Sequence, residues 1–277
     1  YIEEAKKAVR AFEGMGVNKI VAITHIGYDD NPTVDNDLNL AAQVEGIDVI
    51  VGGHSHTQLN EPVVVDADGT PTIIVQAYQY NDFLGTLDVE FDHNGVVVQH
   101  TGQLIKIADK AEDAGAKQLL TQYASKVNEI KNQESGAIAL NALANPRLSN
   151  STESVRTNET PLGNLITDGM LQKAKTYNSN VIMAFQNGGG IREAINEGPI
   201  TIGEIITVLP FGNTLATMNL TGAEIKAAFE TSLKNIPGEN GGFLHVSGAK
   251  VQYDSSKLAG ERVVSITYKN ADGTYTP

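Results

Sequence analysis

The sequence has no cysteine in 277 residues, which excludes a disulfide framework and any thiolate metal site. Long apolar runs are missing too: nothing approaches the roughly 18 residues that a membrane span needs. Positive charge is scarce, since 20 Lys and Arg against 33 Asp and Glu leave a formal charge of −13. Such a chain lacks the basic face of an electrostatic nucleic-acid binder, and no nucleic-acid polymer is expected as a partner. An anionic ligand would need metal ions or locally placed arginines to overcome this unfavourable field. There is no internal repeat and no low-complexity tract. Otherwise the composition is ordinary for a globular protein, 41% hydrophobic and 19% charged, and the length suggests two domains.

What is present is organised around Ile47-Asp-Val-Ile-Val-Gly-Gly-His54-Ser-His56-Thr57. An apolar run of strand length ends in two glycines and then two histidines. Glycine lets the backbone turn sharply there and approach a ligand closely. A third histidine lies in a similar setting upstream, where Lys19-Ile-Val-Ala-Ile-Thr leads into His25 and Gly27. Between the two strands, Asp37 to Val44 reads as a short helix stopped by Gly46. Strand, helix, strand is a βαβ unit, whose crossover makes the strands parallel. Parallel strands end on one edge of the sheet, so His25, His54 and His56 are expected to converge there, where open α/β sheets bind ligands.

Around this unit the chain reads as follows. Tyr1–Phe12 is an amphipathic helix (Ile2, Ala5, Ala8, Val9, Phe12) ended by Gly14 and Gly16. The acidic run Asp29 to Asp37 invites a calcium-loop reading, but it lacks the glycine and glutamate such a loop needs; a solvated loop that caps the next helix fits better. From Glu61 to Val98, short β segments alternate with Asp68-Gly69 and Asn94-Gly95 turn signals and suggest an antiparallel edge. His93 and His100 sit near these turns and receive no ligand role. Asp109 to Lys131 reads as one long helix with Leu119, Leu120, Tyr123, Val127 and Ile130 on a face. With the polar break that follows, it marks a domain boundary.

The second domain is expected to open on a strand, Ala137–Leu143. A helix over Leu162–Lys175 follows, with Thr160 as N-cap and Pro161 at its first position. Strands are expected at Asn180–Phe185, Thr214–Asn219, Lys250–Tyr253 and Val263–Tyr268. A helix over Gly222–Leu233 carries a Thr221/Glu224 capping box. Asp272-Gly273 is a hairpin signal whose second strand is expected beyond Pro277. Both ends read as cut, so the absence of a signal peptide carries no weight.

Three motifs carry chemistry. One apolar-flanked histidine is ordinary core, but three at strand ends on one edge favour a metal; neutral imidazole suits Zn, Mn, Fe, Co or Ni. No Asp-x-His stands at a strand end, so bridging carboxylates for a two-metal site would lie outside these residues. Asn187-Gly-Gly-Gly-Ile-Arg192, with Arg156 beside another turn, makes either a tight turn or a cradle for an anion, to which arginine offers paired donors. Phe211, between Pro210 and Gly212, reads as half-buried packing; in a ligand cleft the same ring would stack on a base. The Asn-x-Ser/Thr triplets at Asn150, Asn158 and Asn219 are too common by chance to mean anything.

With these residues in view, the chain resembles the 5′-nucleotidase family, which includes UDP-sugar hydrolases and related cyclic-nucleotide phosphodiesterases. Thr24-His25-Ile-Gly27 and Gly52-Gly53-His54-Ser55-His56 resemble the closing metal ligands of a calcineurin-like metallophosphoesterase domain. Arg156, Glu159-Thr160, Gly163-Asn164, Asn187 to Arg192 and Leu209 to Gly212 resemble the signature of the nucleotide-binding domain that follows it. The resemblance implies an α/β fold: residues 1–107 as the C-terminal portion of a metallophosphoesterase sandwich, 108–135 as a linker helix, and 136–277 as an incomplete α+β substrate domain. It implies two divalent ions (Zn, Mn or Co), with His25 and His54 on one and His56 on the other. Arg156 and Arg192 would hold the phosphate and ribose, Asn187 the base edge and Phe211 one face of the base, with Gly189 in the same binding turn. The substrate would be a nucleotide or nucleotide-sugar, and the location periplasmic, cell-surface or extracellular. The family's remaining metal ligands and catalytic histidine would lie before Tyr1, so little activity is expected of the 277 residues alone. Two alternatives stand beside this: activity on 2′,3′-cyclic nucleotides, and a non-catalytic nucleotide-binding module.

Overall fold

The alternation of apolar strand and helix near the start produces the expected βαβ unit. A computed structural model of the chain describes residues 1–29, 36–67 and 69–277. These divide into two units, Tyr1–Ala114 and Gly115–Pro277. The first contains α1 (Ile2–Gly14), β1 (Val21–Ile23), α2 (Asp37–Gln43), β2 (Val49–Val51), β3 (Val63–Ala67), β4 (Thr70–Val75), β5 (Phe83–Phe91) and β6 (Val97–Lys106). Asn36 caps α2, its side chain accepting from Asn39 N. The rest of the expected acidic loop, 30–35, and Asp68 of the Asp-Gly turn lie outside the described residues.

The main sheet has the order β1-β2-β4-β3. β1 and β2 are parallel, with Val21 opposite Val49. The expected all-antiparallel edge is corrected here: β4 runs parallel to β2, and only β3 turns back along it. The reason is burial on both faces. Ile73 and Ile74 are successive and both fully buried, the pattern of a parallel strand covered on two sides. Ile50 and Ile74 point into a core with Val9 of α1 and Leu40 and Ala41 of α2. Val49 and Ile73, one residue earlier on each strand, pack with Val97, Leu87 and Val89 of the β5–β6 hairpin. Helices, sheet and hairpin therefore form three layers, and the carboxyl ends of β1, β2 and β4 share one edge.

The second unit contains α3 (Ala114–Lys131, all but its first residue), β7 (Glu134–Ala139), α4 (Pro161–Tyr177), β8 (Ala184–Asn187), β9 (Gly198–Thr201), α5 (Ile202–Val208), α6 (Gly222–Ser232), β10 (Leu244–Ser247), β11 (Ala249–Tyr253), β12 (Val263–Lys269) and β13 (Tyr275–Thr276). β7 pairs with β9, β8 with β10, and β11-β12-β13 form an antiparallel set. One core gathers Val155, Leu162, Ile191, Ile200 and Val208; another gathers Phe229, Leu233, Phe243 and Val263.

Several expectations are corrected. The helix expected over Asp109–Lys131 starts only at Ala114, Ile107–Asp109 forming a separate short 3-10 turn, and its apolar Leu119, Leu120 and Tyr123 are exposed. Thr214–Asn219 is exposed and forms no strand, because no partner supplies a ladder for it among the described residues. β8 starts at Ala184, so Asn187 ends the strand rather than following it. The hairpin partner lies within the chain: Tyr275 and Thr276 pair with Lys269 and Tyr268 across the Asp272-Gly273 turn. α5, with its Thr201/Glu204 capping box, fills a region the sequence left undefined.

Candidate functional site

The first cluster stands at the carboxyl edge of the main sheet. Thr24 N donates to Val51 O (3.0 Å), and Gly27 N to Gly53 O (3.1 Å). These bonds carry the pairing of β1 and β2 past the strand ends and bring the two histidine loops together. The His25 and His54 rings lie edge to face, with centroids 5.2 Å apart, and both residues are exposed. Gly53 permits the approach: a Cβ there would stand 3.0 Å from His25 Nδ1. His54 and His56 both adopt left-handed backbone, φ 78° and 55°, a conformation uncommon outside glycine and concentrated at functional sites. In the segment that follows β4, Tyr78, Tyr80 and Asn81 are also left-handed. His56 packs edge to face on Tyr80, with centroids 5.5 Å apart.

Two imidazoles on one tetrahedral ion have ring centroids about 5 Å apart. The His25–His54 separation fits that, so this pair suits a shared ion. His56 keeps different company, and the described residues contain no group of three or more His, Cys, Asp or Glu able to hold a metal. Two imidazoles alone do not complete a coordination sphere, so a shared ion would need further ligands.

The second cluster belongs to the other unit. Asn187 Nδ2 donates to Gly241 O (3.0 Å), and Gly189 N to the same oxygen (2.9 Å). Arg192 donates from Nη1 to Gly189 O (3.2 Å), and its guanidinium lies 5.7 Å from the Phe211 ring centroid. Arg156 O accepts from Asn240 N (3.2 Å), which joins Arg156 to the loop carrying Gly241. Arg156, Asn187, Gly189, Arg192 and Phe211 therefore form one connected group. The glycines have a packing reason: a Cβ on Gly188 would overlap the Val155 carbonyl, and one on Gly189 would come within 2.9 Å of Gly241 O. The half-buried reading of Phe211 is corrected, because its ring is 57% exposed. Its immediate company is a guanidinium rather than a core.

Sequence reasoning missed what holds this group. Arg147 donates from Nε to Glu239 Oε1 (2.8 Å) and from Nη2 to Oε2 (2.5 Å). Ser154 Oγ and Leu148 N also donate to Glu239. The Arg147 hydrogen bonds, against a partial burial penalty, hold the Glu239 carboxyl down to about 2. Glu239 thereby ties the Asn240-Gly241 turn to the segment that leads into Arg156. His245, buried at 2% exposure, shares a hydrogen bond of 2.8 Å with Val155 O; burial pushes its pKa down, which keeps the ring neutral. Neither Glu239, inside a glycine-rich loop, nor His245, inside a short strand, carries a sequence pattern that announces the role. A groove of about 1240 Å³ between α4 and β10–β11 is lined by Asn164, Asp168 and Lys250, but by none of the five residues of the group.

Fold and site together define a mixed α/β protein with a histidine pair on one unit and an arginine–aromatic group on the other. The model of the 5′-nucleotidase C-terminal domain matches residues 137–275. The trifunctional nucleotide phosphoesterase protein YfkN of Bacillus subtilis is 41% identical over 275 residues, covering 98% of this chain and 18% of that protein. A snake venom 5′-nucleotidase of Gloydius brevicauda is 35% identical over 289 residues, covering 96% of this chain and 47% of the venom protein. The crystal structure of a 5′-nucleotidase precursor from Thermus thermophilus superposes with a TM-score of 0.71 at 41% identity, covering 100% of this chain and 54% of that one. The chain belongs to the 5′-nucleotidase family. It spans about half the length, or less, of these relatives.

Proposed function

We propose that the protein containing this chain hydrolyses nucleotide phosphoesters at a centre of two divalent ions, with the nucleotide held by the second unit. The observation that carries this is the His25–His54 pair, 5.2 Å between centroids, at a shared strand edge in a member of the 5′-nucleotidase family. When bound, the ions supply Lewis acidity toward the phosphoryl oxygens and lower the pKa of water. His25 and His54 hold one ion and His56 the other. Arg156 and Arg192 pair with the phosphate and orient the ribose end, a locally positive site within a chain of net charge −13. Asn187 reads the base edge, Gly189 lets the backbone come close, and the exposed face of Phe211 stacks on the base. In this reading residues 1–107 are the end of the metallophosphoesterase domain, 108–135 the linker and 136–277 the substrate domain, and the 277 residues alone have little activity.

The test is metal content and phosphate release from AMP by the full-length protein beside His54→Ala. The expected result is less bound metal and a collapse of turnover; unchanged metal and turnover overturn the proposal. The Bacillus relative, named a trifunctional nucleotide phosphoesterase, supports a second reading in which more than one nucleotide ester is hydrolysed. Comparing AMP, a 2′,3′-cyclic nucleotide and a UDP-sugar as substrates separates the two. The venom relative supports a location outside the cytoplasm. Among the described residues no helix is long and apolar enough to cross a membrane.

A further inference from the structure

Gln76 is a buried polar residue, 3% exposed, at the end of the apolar β4 strand. Nothing in the sheet requires an amide there. Its Oε1 accepts from Thr57 N (2.5 Å) and from Ser55 Oγ (3.2 Å), while Nε2 donates to Gly53 O (3.4 Å). The amide orientation is forced: a backbone N–H can only donate, so the atom facing Thr57 N is the carbonyl oxygen. One side chain thus bonds the histidine loop before His54, between the two histidines and after His56. Ser55 Oγ extends the network, lying 2.7 Å from Thr57 Oγ1 and accepting from Tyr28 N (3.0 Å) in the loop that carries His25. The backbone these bonds hold is strained, with φ of 78° at His54 and 55° at His56. Left-handed non-glycine residues persist only where their surroundings over-determine them.

From this geometry we infer that Gln76, with Ser55, is the positioning residue of the histidine centre: it fixes the loop conformation that aims the His54 and His56 rings. Its effect reaches those rings only through the backbone, as outer-shell partners of metal ligands act. The inference rests on the metal reading of the three histidines.

The test titrates the full-length protein with Co²⁺, reading both affinity and the visible absorption bands that report ligand geometry. Gln76→Leu keeps the volume and removes both polar ends. It is expected to weaken binding by about 10- to 100-fold and shift the bands. Gln76→Glu keeps an acceptor for Thr57 N and Ser55 Oγ but loses the donor to Gly53 O, and is expected to recover part of the affinity and to move the bands back toward those of the wild type. A merely structural residue would lower thermal stability without altering the bands of the folded fraction. A folded Gln76→Leu with wild-type bands and affinity, beside a His54→Ala that loses Co²⁺, overturns the positioning role and leaves the metal reading intact. A His54→Ala that binds Co²⁺ like the wild type overturns both. Should Gln76→Leu not fold, Ser55→Ala decides: shifted bands support the network, and unchanged bands overturn it.

Discussion

Phe211 presents an exposed ring to solvent on a loop that follows α5, with Arg192 over its face. Because the ring contributes little to any core, Phe211→Ala should leave the melting temperature nearly unchanged. Base–aromatic stacking is worth about 1–3 kcal/mol, so the same variant should raise KM for a nucleoside monophosphate about fivefold or more. Unchanged KM in steady-state assays would remove Phe211 from the site. Glu239 makes the opposite case. Its carboxylate is partly exposed, so Glu239→Gln should cost only about 1 kcal/mol at neutral pH. The folded pKa of about 2 lies below the ordinary 4.5. Its stabilisation is therefore complete above 4.5 and fades as pH falls toward 2. Denaturant curves for wild type and variant should converge over that interval; a gap that stays constant rules out the charge as its source.

Among the elements, α4 and α6 were the most legible, because their start signals are local. Thr160 accepts from Gly163 N (3.1 Å) with Pro161 at the first position, and Thr221 and Glu224 close a capping box. Each is a short pattern whose meaning does not depend on distant chain. Thr160→Ala should cost about 1 kcal/mol, measurable as a shift of the denaturation midpoint without a change in slope. The βαβ unit was legible for the same reason, and it placed His25 beside His54. What the sequence concealed depends on contacts across the chain. β4 looks like any short β segment until burial on both faces makes it parallel. Thr214–Asn219 has the residues of a strand but no ladder partner among the described residues. Gln76, 20 or so positions after the histidines it holds, reads as one polar residue after an apolar run. Arg147 and Glu239, 92 residues apart, meet only in the folded chain.

Across the whole molecule, two units with their own cores should unfold as separable events. Calorimetry should show two transitions. A divalent ion binding at the histidine edge should raise the first unit's transition, and a nucleotide binding at the arginine group should raise the second's. At a hundredfold excess over Kd the gain is about 2.7 kcal/mol on whichever unit holds the ligand. A metal ion that shifts the second unit's transition alone would contradict the assignment of sites.

The contact between Gly188 and the Val155 carbonyl has a genetic corollary. In a library randomised at positions 187 and 188 and sorted only for soluble, protease-resistant protein, glycine alone should survive at 188. Position 187, whose side chain is exposed, should admit many residues in the same sort. Only a second sort, for growth dependent on phosphate released from a nucleotide, should restore asparagine there. The two adjacent codons would then record separately what shape demands and what chemistry demands.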